Sequence, residues 1–184
     1  MASLRYLTIC SVDGYVADRA GRFDWAAPDA EVHRFVNDAE RSTGTYLYGR
    51  RMYDVMAGWD IADPGRTPES QEYTAIWQAA DKVVFSTTLV EVWTARTRLV
   101  RRFDPTVVRQ LKATSERELS VGGPTLAAEM LRTNLVDEIH LIITPTIVGG
   151  GLPALPADVR LQLELLDERR FGNGAVSLRY RVAD

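Results

Sequence analysis

Residues 119–131, LSVGGPTLAAEML, constrain this chain more than any other stretch. Leu119 to Val121 read as the end of a strand, and Gly122 and Gly123 then turn with no Cβ in the way. Pro124 suits the first helical position, where its missing N–H costs nothing, and Thr125 to Leu131 continue as that helix. A strand, a glycine pair and a helix start, in this order, leave the first-turn N–H groups free to meet an anion such as a diphosphate. The plainer reading is a tight strand-to-helix turn that binds nothing, so the rest of the chain has to decide.

The rest repeats the alternation. Leu4 to Val12 is an apolar strand, followed by an Asp13-Gly14 turn and an extended Tyr15 to Ala17. Asp18 to Gly21 make a second polar turn, and Phe23, Asp24 and Trp25 form an aromatic loop. Asp29 is placed to cap a helix over Ala30 to Ser42, whose apolar face carries Val32, Phe35, Val36 and Ala39. Gly44 is expected to end it. Thr45 to Tyr48 form a strand, and Gly49, Arg50, Arg51 and Met52 open a second strand-to-helix junction suited to phosphate. There the alternative is two solvated arginines.

Glu69 to Ala80 read as helix and Lys82 to Ser86 as strand, with Ser86, Thr87 and Thr88 as a hydroxyl-rich exit loop. Those hydroxyls can hold a sugar or phosphate, or merely satisfy the turn. A short strand at Thr97 to Val100, a helix at Pro105 to Thr114 and an apolar strand at Glu138 to Thr144 complete the alternation. The loop Pro145 to Leu152 is glycine-rich, but no Gly-Lys-Ser/Thr follows, so it is not a Walker loop. Leu161 to Asp167 and Ala175 to Val182 flank Phe171-Gly172-Asn173-Gly174 and predict an antiparallel hairpin.

This order predicts an α/β fold in one domain over residues 1–184: three-layer αβα, a mainly parallel central sheet and a C-terminal antiparallel hairpin. The junctions after Tyr48, Ser86 and Val121 would share the C-terminal edge of the sheet, where such folds bind ligands. A ligand with several phosphates, such as a dinucleotide, suits them. The G-x-G-x-x-G fingerprint of a standard dinucleotide domain is absent.

Composition removes other classes. A net charge of −3 gives no reason to expect nucleic acid as a partner. Cys10 is the only cysteine and its apolar strand predicts a buried, inert thiol; with two histidines far apart, no metal site is expected. No apolar run is long enough to span a bilayer and no signal peptide is evident, so a cytoplasmic protein without a membrane partner is expected.

The ordered set SVDGYVA (11–17), FDW (23–25), YGRRMYD (48–54), VFSTT (84–88), VGGPTLAAEML (121–131) and ITPTIVGGG (143–151), with the final hairpin, resembles the dihydrofolate-reductase-like fold. The nearer branch holds the C-terminal reductase domain of the bifunctional riboflavin-biosynthesis deaminase-reductase and its stand-alone relatives. The resemblance implies an NADPH-dependent reductase. By it, Gly49, Arg50, Arg51 and Met52, together with Val121, Gly122, Gly123, Pro124, Thr125 and Leu126, take the diphosphate and adenosine phosphates. Arg50 would meet the 2′-phosphate, Ser86, Thr87 and Thr88 the adenosine ribose, and Ile9, Val16 and Ala17 the nicotinamide. Met52 replaces a common hydroxyl residue, Tyr15 replaces the lysine common in riboflavin reductases, and Asp24-Trp25 is typical of the stand-alone branch.

The family's helix acid is sought by counting: Phe35 points to Glu31, Trp25 points to Ala30. Glu31 is the candidate for proton transfer or substrate anchoring, with Asp24 behind it and a merely solvated helix carboxylate as the alternative for Glu31, and Trp25 and Phe35 are expected to wall the substrate. Burial beside these rings would raise the acid's pKa. The expected reaction is hydride transfer to a C=N or C=O of a small heterocycle, dihydrofolate-like or a pyrimidine intermediate of flavin synthesis. The alternative is a non-catalytic nucleotide-binding or regulatory domain. Relatives of this type are often dimeric, and the ITPTIVGGG segment with the hairpin is expected to supply an apolar edge for a homodimer.

Overall fold

The computed structural model describes residues 1–183. The chain runs β1 (Leu4–Ser11), β2 (Tyr15–Asp18), a 3-10 turn at Asp24–Ala26, α1 (Ala30–Glu40), β3 (Thr43–Gly49), α2 (Arg50–Met56), a second 3-10 turn at Ala57–Asp60, and α3 (Pro68–Ala79). It continues β4 (Asp81–Phe85), β5 (Thr97–Val100), α4 (Pro105–Thr114), β6 (Glu118–Gly122), α5 (Pro124–Arg132), β7 (Glu138–Thr144), β8 (Gly151–Pro153), β9 (Leu163–Arg170) and β10 (Val176–Val182).

Eight strands form one sheet in the order β5-β4-β3-β6-β1-β7-β10-β9. The first six are mutually parallel, and β10 and β9 close the far side as an antiparallel pair. The three-layer fold read from the sequence is therefore the one observed. On one face, α4 and α5 bury Val108, Leu126, Ala127 and Met130 against Leu4, Tyr6, Leu47, Leu119 and Val121. On the other, α2 and α3 close over Tyr46, Tyr48 and Val84, and α1 over Ile142 and Phe171.

Helix starts follow the sequence. The Asp29 carboxylate accepts the Val32 N–H at 2.9 Å, the Thr67 hydroxyl accepts the Ser70 N–H at 3.3 Å, and Asp104 accepts the Thr106 N–H at 2.8 Å. Two expectations fail. Helix α1 stops at Glu40, and Gly44 lies inside β3 rather than at a helix end. A Cβ on Gly44 would stand 2.6 Å from that of Arg117, so its role is close passage of a neighbouring side chain. The ITPTIVGGG strand is also no edge: β7 lies between β1 and β10, and its loop returns as β8 to pair with β2.

Both lysines of the chain are structural. Lys82 donates to the carbonyls of Trp77 (3.2 Å) and Ala80 (2.9 Å) at the end of α3, a favourable place for a cation. Lys112 ties the end of α4 to Leu135 and Asp137. Cys10 is 2% exposed, and burial pushes its thiol up to about 11, so it stays protonated and inert at neutral pH.

Candidate functional site

The sheet order brings the three junctions together, because β4, β3 and β6 are adjacent and parallel. Tyr48 pairs with Gly122 and Gly49 with Phe85, so all three strands end at one level. A cavity of about 1450 Å³ opens over that edge. Sites for one small ligand usually span about 300–1,000 Å³, so this volume has room for a dinucleotide and a second molecule. Ile9, Val16 and Ala17 line one part of it, and Gly49, Arg50, Arg51 and Met52 another. Ser86, Thr87, Thr88 and Val121, Gly122, Gly123, Pro124, Thr125 and Leu126 complete the same wall.

The two glycines of the pair do different things. A Cβ on Gly122 would meet the Tyr48 ring at 2.6 Å, so this glycine lets β6 finish against β3. Gly123 holds φ +89° and is the residue before α5, a conformation that a side chain rarely adopts. No side chain caps α5, so its first-turn N–H groups face the cavity wall unclaimed. Helix α2 also starts uncapped after Gly49 but has only 7 residues. There the arginine side chains carry the charge.

Arg50 is exposed and donates to the Thr88 hydroxyl at 2.9 Å, with Asp54 at 3.7 Å. This joins the α2 start to the β4 exit loop. The Ser86 hydroxyl accepts the N–H groups of Thr88 (3.3 Å) and Leu89 (2.9 Å), so it serves the turn, while Thr87 and Thr88 stay exposed. Arg19, Arg101 and Arg102 add to Arg50 and Arg51 along the cavity. The acids lining it are Asp18, Asp24, Glu40 and Glu129, and Asp18 is already paired with Arg22 at 3.0 Å. Five guanidinium groups against four carboxylates make the lining slightly positive in a chain of net charge −3, which suits an anionic ligand. The uncapped α5 start and the arginines are thus consistent with a dinucleotide diphosphate and an additional phosphate.

The residues expected around the substrate divide. Asp24 opens the first 3-10 turn, is exposed, and lines the cavity. Trp25 does not line it: its indole N–H donates to the Arg22 carbonyl at 3.2 Å and holds the loop. Phe35 lies under α1, edge-on to Phe171 (5.1 Å) and His140 (5.5 Å), and is core. Glu31 is also outside the cavity. Its Oε2 accepts the Gly172 N–H at 3.0 Å and its Oε1 meets Arg169 at 3.1 Å, so it anchors the β9–β10 turn to α1. The Gly172 N–H, then Arg169, hold its carboxyl below the usual range, the reverse of the shift expected for a buried proton donor. The α1 residues that line the cavity are Val36 and Glu40, in the second half of the helix, whereas Glu31 lies in its first turn beside the hairpin.

Sequence reading missed the inner part of the cavity, lined by Val36, Glu40, Tyr46, Tyr48 and Tyr73. Signals for it existed. Tyr46 and Tyr48 are two apart on a strand and must share a face. Glu40 is four residues after Val36 and falls on the same helix stripe. The outer wall is held by β2 and β8. A Cβ on Gly151 would lie 2.0 Å from the Ala17 carbonyl oxygen, so only glycine lets these strands touch. The Asp13 carboxylate accepts the N–H groups of Val148 (3.2 Å) and Gly149 (2.8 Å), fixing the glycine loop against the Asp-Gly turn.

The chain is 26% identical over 174 residues to Uncharacterized protein YyaP of Bacillus subtilis (strain 168), covering 92% of this chain and 89% of that protein. Its fold matches a Shewanella sp. PV-4 protein named for riboflavin biosynthesis, with TM-score 0.77, 20% identity and 99% coverage of both chains. It also matches dihydrofolate reductase from Enterococcus faecalis, solved with NADP(H), with TM-score 0.68, 11% identity and coverage of 99% and 97%. At such identities the two solved structures establish the fold. The model of the RibD C-terminal domain matches residues 2–177, and the protein belongs to the RibD C-terminal domain family.

Proposed function

We propose that the protein is an NADPH-dependent reductase that transfers hydride to a C=N or C=O carbon of a small heterocycle. The observation that carries this reading is the cavity of about 1450 Å³ at the ends of β4, β3 and β6, with five arginines and the uncapped start of α5 along it. Membership of the RibD C-terminal domain family supports it, as does the likeness in fold to a dihydrofolate reductase solved with NADP(H). Bound NADPH would supply the hydride. The chain itself would hold the phosphates on Arg50, Arg51 and the N–H groups after Gly123, and border the nicotinamide with Ile9, Val16 and Ala17.

Asp24 would then relay a proton or anchor the substrate, being the exposed carboxylate of the aromatic loop in the wall of the cavity that Ile9 and Val16 also line. Protonation of a C=N nitrogen raises its electrophilicity, and a positioned acid or relay typically gives roughly 10²–10⁴-fold. The test is titration with NADPH and NADH, followed by cofactor oxidation with dihydrofolate and aminopyrimidine substrates, for wild type and Asp24→Asn. Tight NADPH binding and turnover that falls in Asp24→Asn are expected. Equal affinity for both cofactors would defeat the NADPH assignment. Binding without turnover would leave the protein a nucleotide-binding domain. A homodimer, with the uncovered side of β9 and β10 as its contact face, is part of the same reading.

A further inference from the structure

Met52 is the one internal methionine open to the cavity. Of the four in the chain, Met1 is the first residue, Met130 is fully buried and Met56 is 8% exposed, whereas Met52 is partly exposed and lines the cavity wall. Cys10, the remaining sulfur, is buried in β1. Met52 is the third residue of α2, and its side chain runs across to the glycine pair. A Cβ on Gly122 would stand 3.3 Å from its Cγ, and one on Gly123 would stand 3.1 Å from its Cβ and 3.9 Å from its Sδ. The sulfur therefore lies against the turn that opens α5.

That turn is rich in free donors. Ala127 is bonded to the Gly123 carbonyl at 3.1 Å, Pro124 has no N–H, and no side chain caps the helix. The N–H groups of Thr125 and Leu126 are thus left without a partner inside the helix. A thioether is only a weak acceptor, so in its reduced form Met52 leaves them free for an anion. A sulfoxide is different. It turns the apolar side chain polar and places a strongly accepting, partly negative oxygen on the sulfur. That oxygen can claim the donors but has no proton to offer a phosphate.

We propose that Met52 is a site of oxidation by hydrogen peroxide and that its sulfoxide closes the anion site at the start of α5. In the step, the thioether sulfur attacks the O–O bond and takes one oxygen. The sulfur is oxidised by two electrons, the peroxide is reduced, and its other oxygen leaves with both protons as water. The new oxygen then competes with phosphate for the Thr125 and Leu126 N–H groups and repels it. A bound diphosphate in turn covers the sulfur and shields it from peroxide. The proposal rests on the reading that the α5 start takes the cofactor diphosphate.

The full chain is treated with hydrogen peroxide, with and without NADPH, and oxidation of each methionine is followed by peptide mass spectrometry. NADPH and inorganic pyrophosphate are then titrated into treated and untreated wild type and Met52→Leu. Met52 is expected to react at least about tenfold faster than Met56 and Met130, because susceptibility follows exposure. NADPH should slow Met52 and leave Met1 unchanged. Treatment should weaken NADPH about 10- to 100-fold in wild type, the loss of hydrogen bonds to a charged group. Treated Met52→Leu should keep whatever affinity it starts with, and methionine sulfoxide reductases should restore the wild type. Should Met52→Leu fold poorly, that restoration decides. Met52 reacting no faster than Met56 and Met130 overturns the proposal. NADPH binding that survives oxidation of Met52 also overturns it and leaves the cofactor reading intact. Pyrophosphate binding that is lost on oxidation, in a chain that never binds NADPH, removes the cofactor reading and leaves this site standing. An untreated chain that binds neither overturns both.

Discussion

At the scale of single residues, two charged side chains that look alike in the sequence separate in the structure. Arg50 is exposed on the cavity wall and bridges to Thr88 at 2.9 Å. On the proposed NADPH reading, removing it would take away one charge-assisted phosphate contact, worth about 1.5–3 kcal/mol. Arg50→Ala should therefore weaken NADPH by roughly 10- to 100-fold with NADH almost unaffected, as read by titration of both cofactors. Glu31 has no cavity to serve. Its carboxyl is held below its ordinary 4.5 by Gly172 and Arg169. A depressed carboxyl contributes stability that is present above its unfolded pKa and is lost as pH falls through the folded one. Glu31→Gln should thus keep turnover, be modestly less stable than wild type at neutral pH, and converge with wild type as the pH falls through the lowered folded pKa. The side chain is 39% exposed, so solvent screening keeps the effect small. A large loss of turnover in thermally stable Glu31→Gln would return this residue to the active site.

At the scale of elements, the cavity depends on two glycines, Gly123 before α5 and Gly151 on β8. Gly123 supplies a positive φ before α5, so a side chain there strains the backbone whatever ligand is present. A bulky substitution at Gly123 therefore lowers stability and cofactor affinity together and cannot separate the two roles. Gly151 is the better probe of the outer wall. An added methyl would run into the Ala17 carbonyl at 2.0 Å and the Asp18 carbonyl carbon at 2.7 Å. Gly151 also holds a positive φ, +146°, so Gly151→Ala should part β8 from β2 at a cost of at least about 1–3 kcal/mol, the usual scale of overpacking, with backbone strain added. Because Val16 and Ala17 lie on β2, NADPH affinity should fall with it, while the main sheet, which β2 and β8 do not join, stays folded. Unchanged melting and unchanged affinity would mean the β2–β8 pair does not shape the site.

At the scale of the whole molecule, the sheet ends on β5 at one side and on β9 at the other. Helices α4 and α5 cover the same face further in, where Val182 joins their core. Beyond them Leu163 and Leu165 are 39% and 48% exposed, opposite Val182 and Tyr180 on β10. Apolar side chains on an uncovered strand favour a partner surface, whereas the charges of Glu164, Glu168, Arg169 and Arg170 guard against open-ended strand addition. A closed homodimer reconciles the two. Light scattering at micromolar concentration should give twice the chain mass of 20.6 kDa, and Leu165→Glu should shift it toward monomer. A monomer in the wild type would end this proposal.

The alternation of strand and helix, the cap at Asp29, the glycine pair and the final hairpin were legible in the sequence, because each rests on neighbours within a few residues. So was the meeting of the three junctions at one cavity, since junctions after parallel strands must share one edge once the strands are adjacent. Tertiary structure alone decided that adjacency, with β6 entering between β3 and β1. It also decided which way each helix side chain faces. Glu31 and Glu40 are both acids on α1, nine positions apart, and no local rule ranks one above the other. The β9–β10 turn supplies an N–H and an arginine that claim Glu31, while the Thr43 and Ser120 hydroxyls gather around Glu40 beneath the helix. Partners more than a hundred residues away settle the first case, and such distances leave no trace in a period of 3.6.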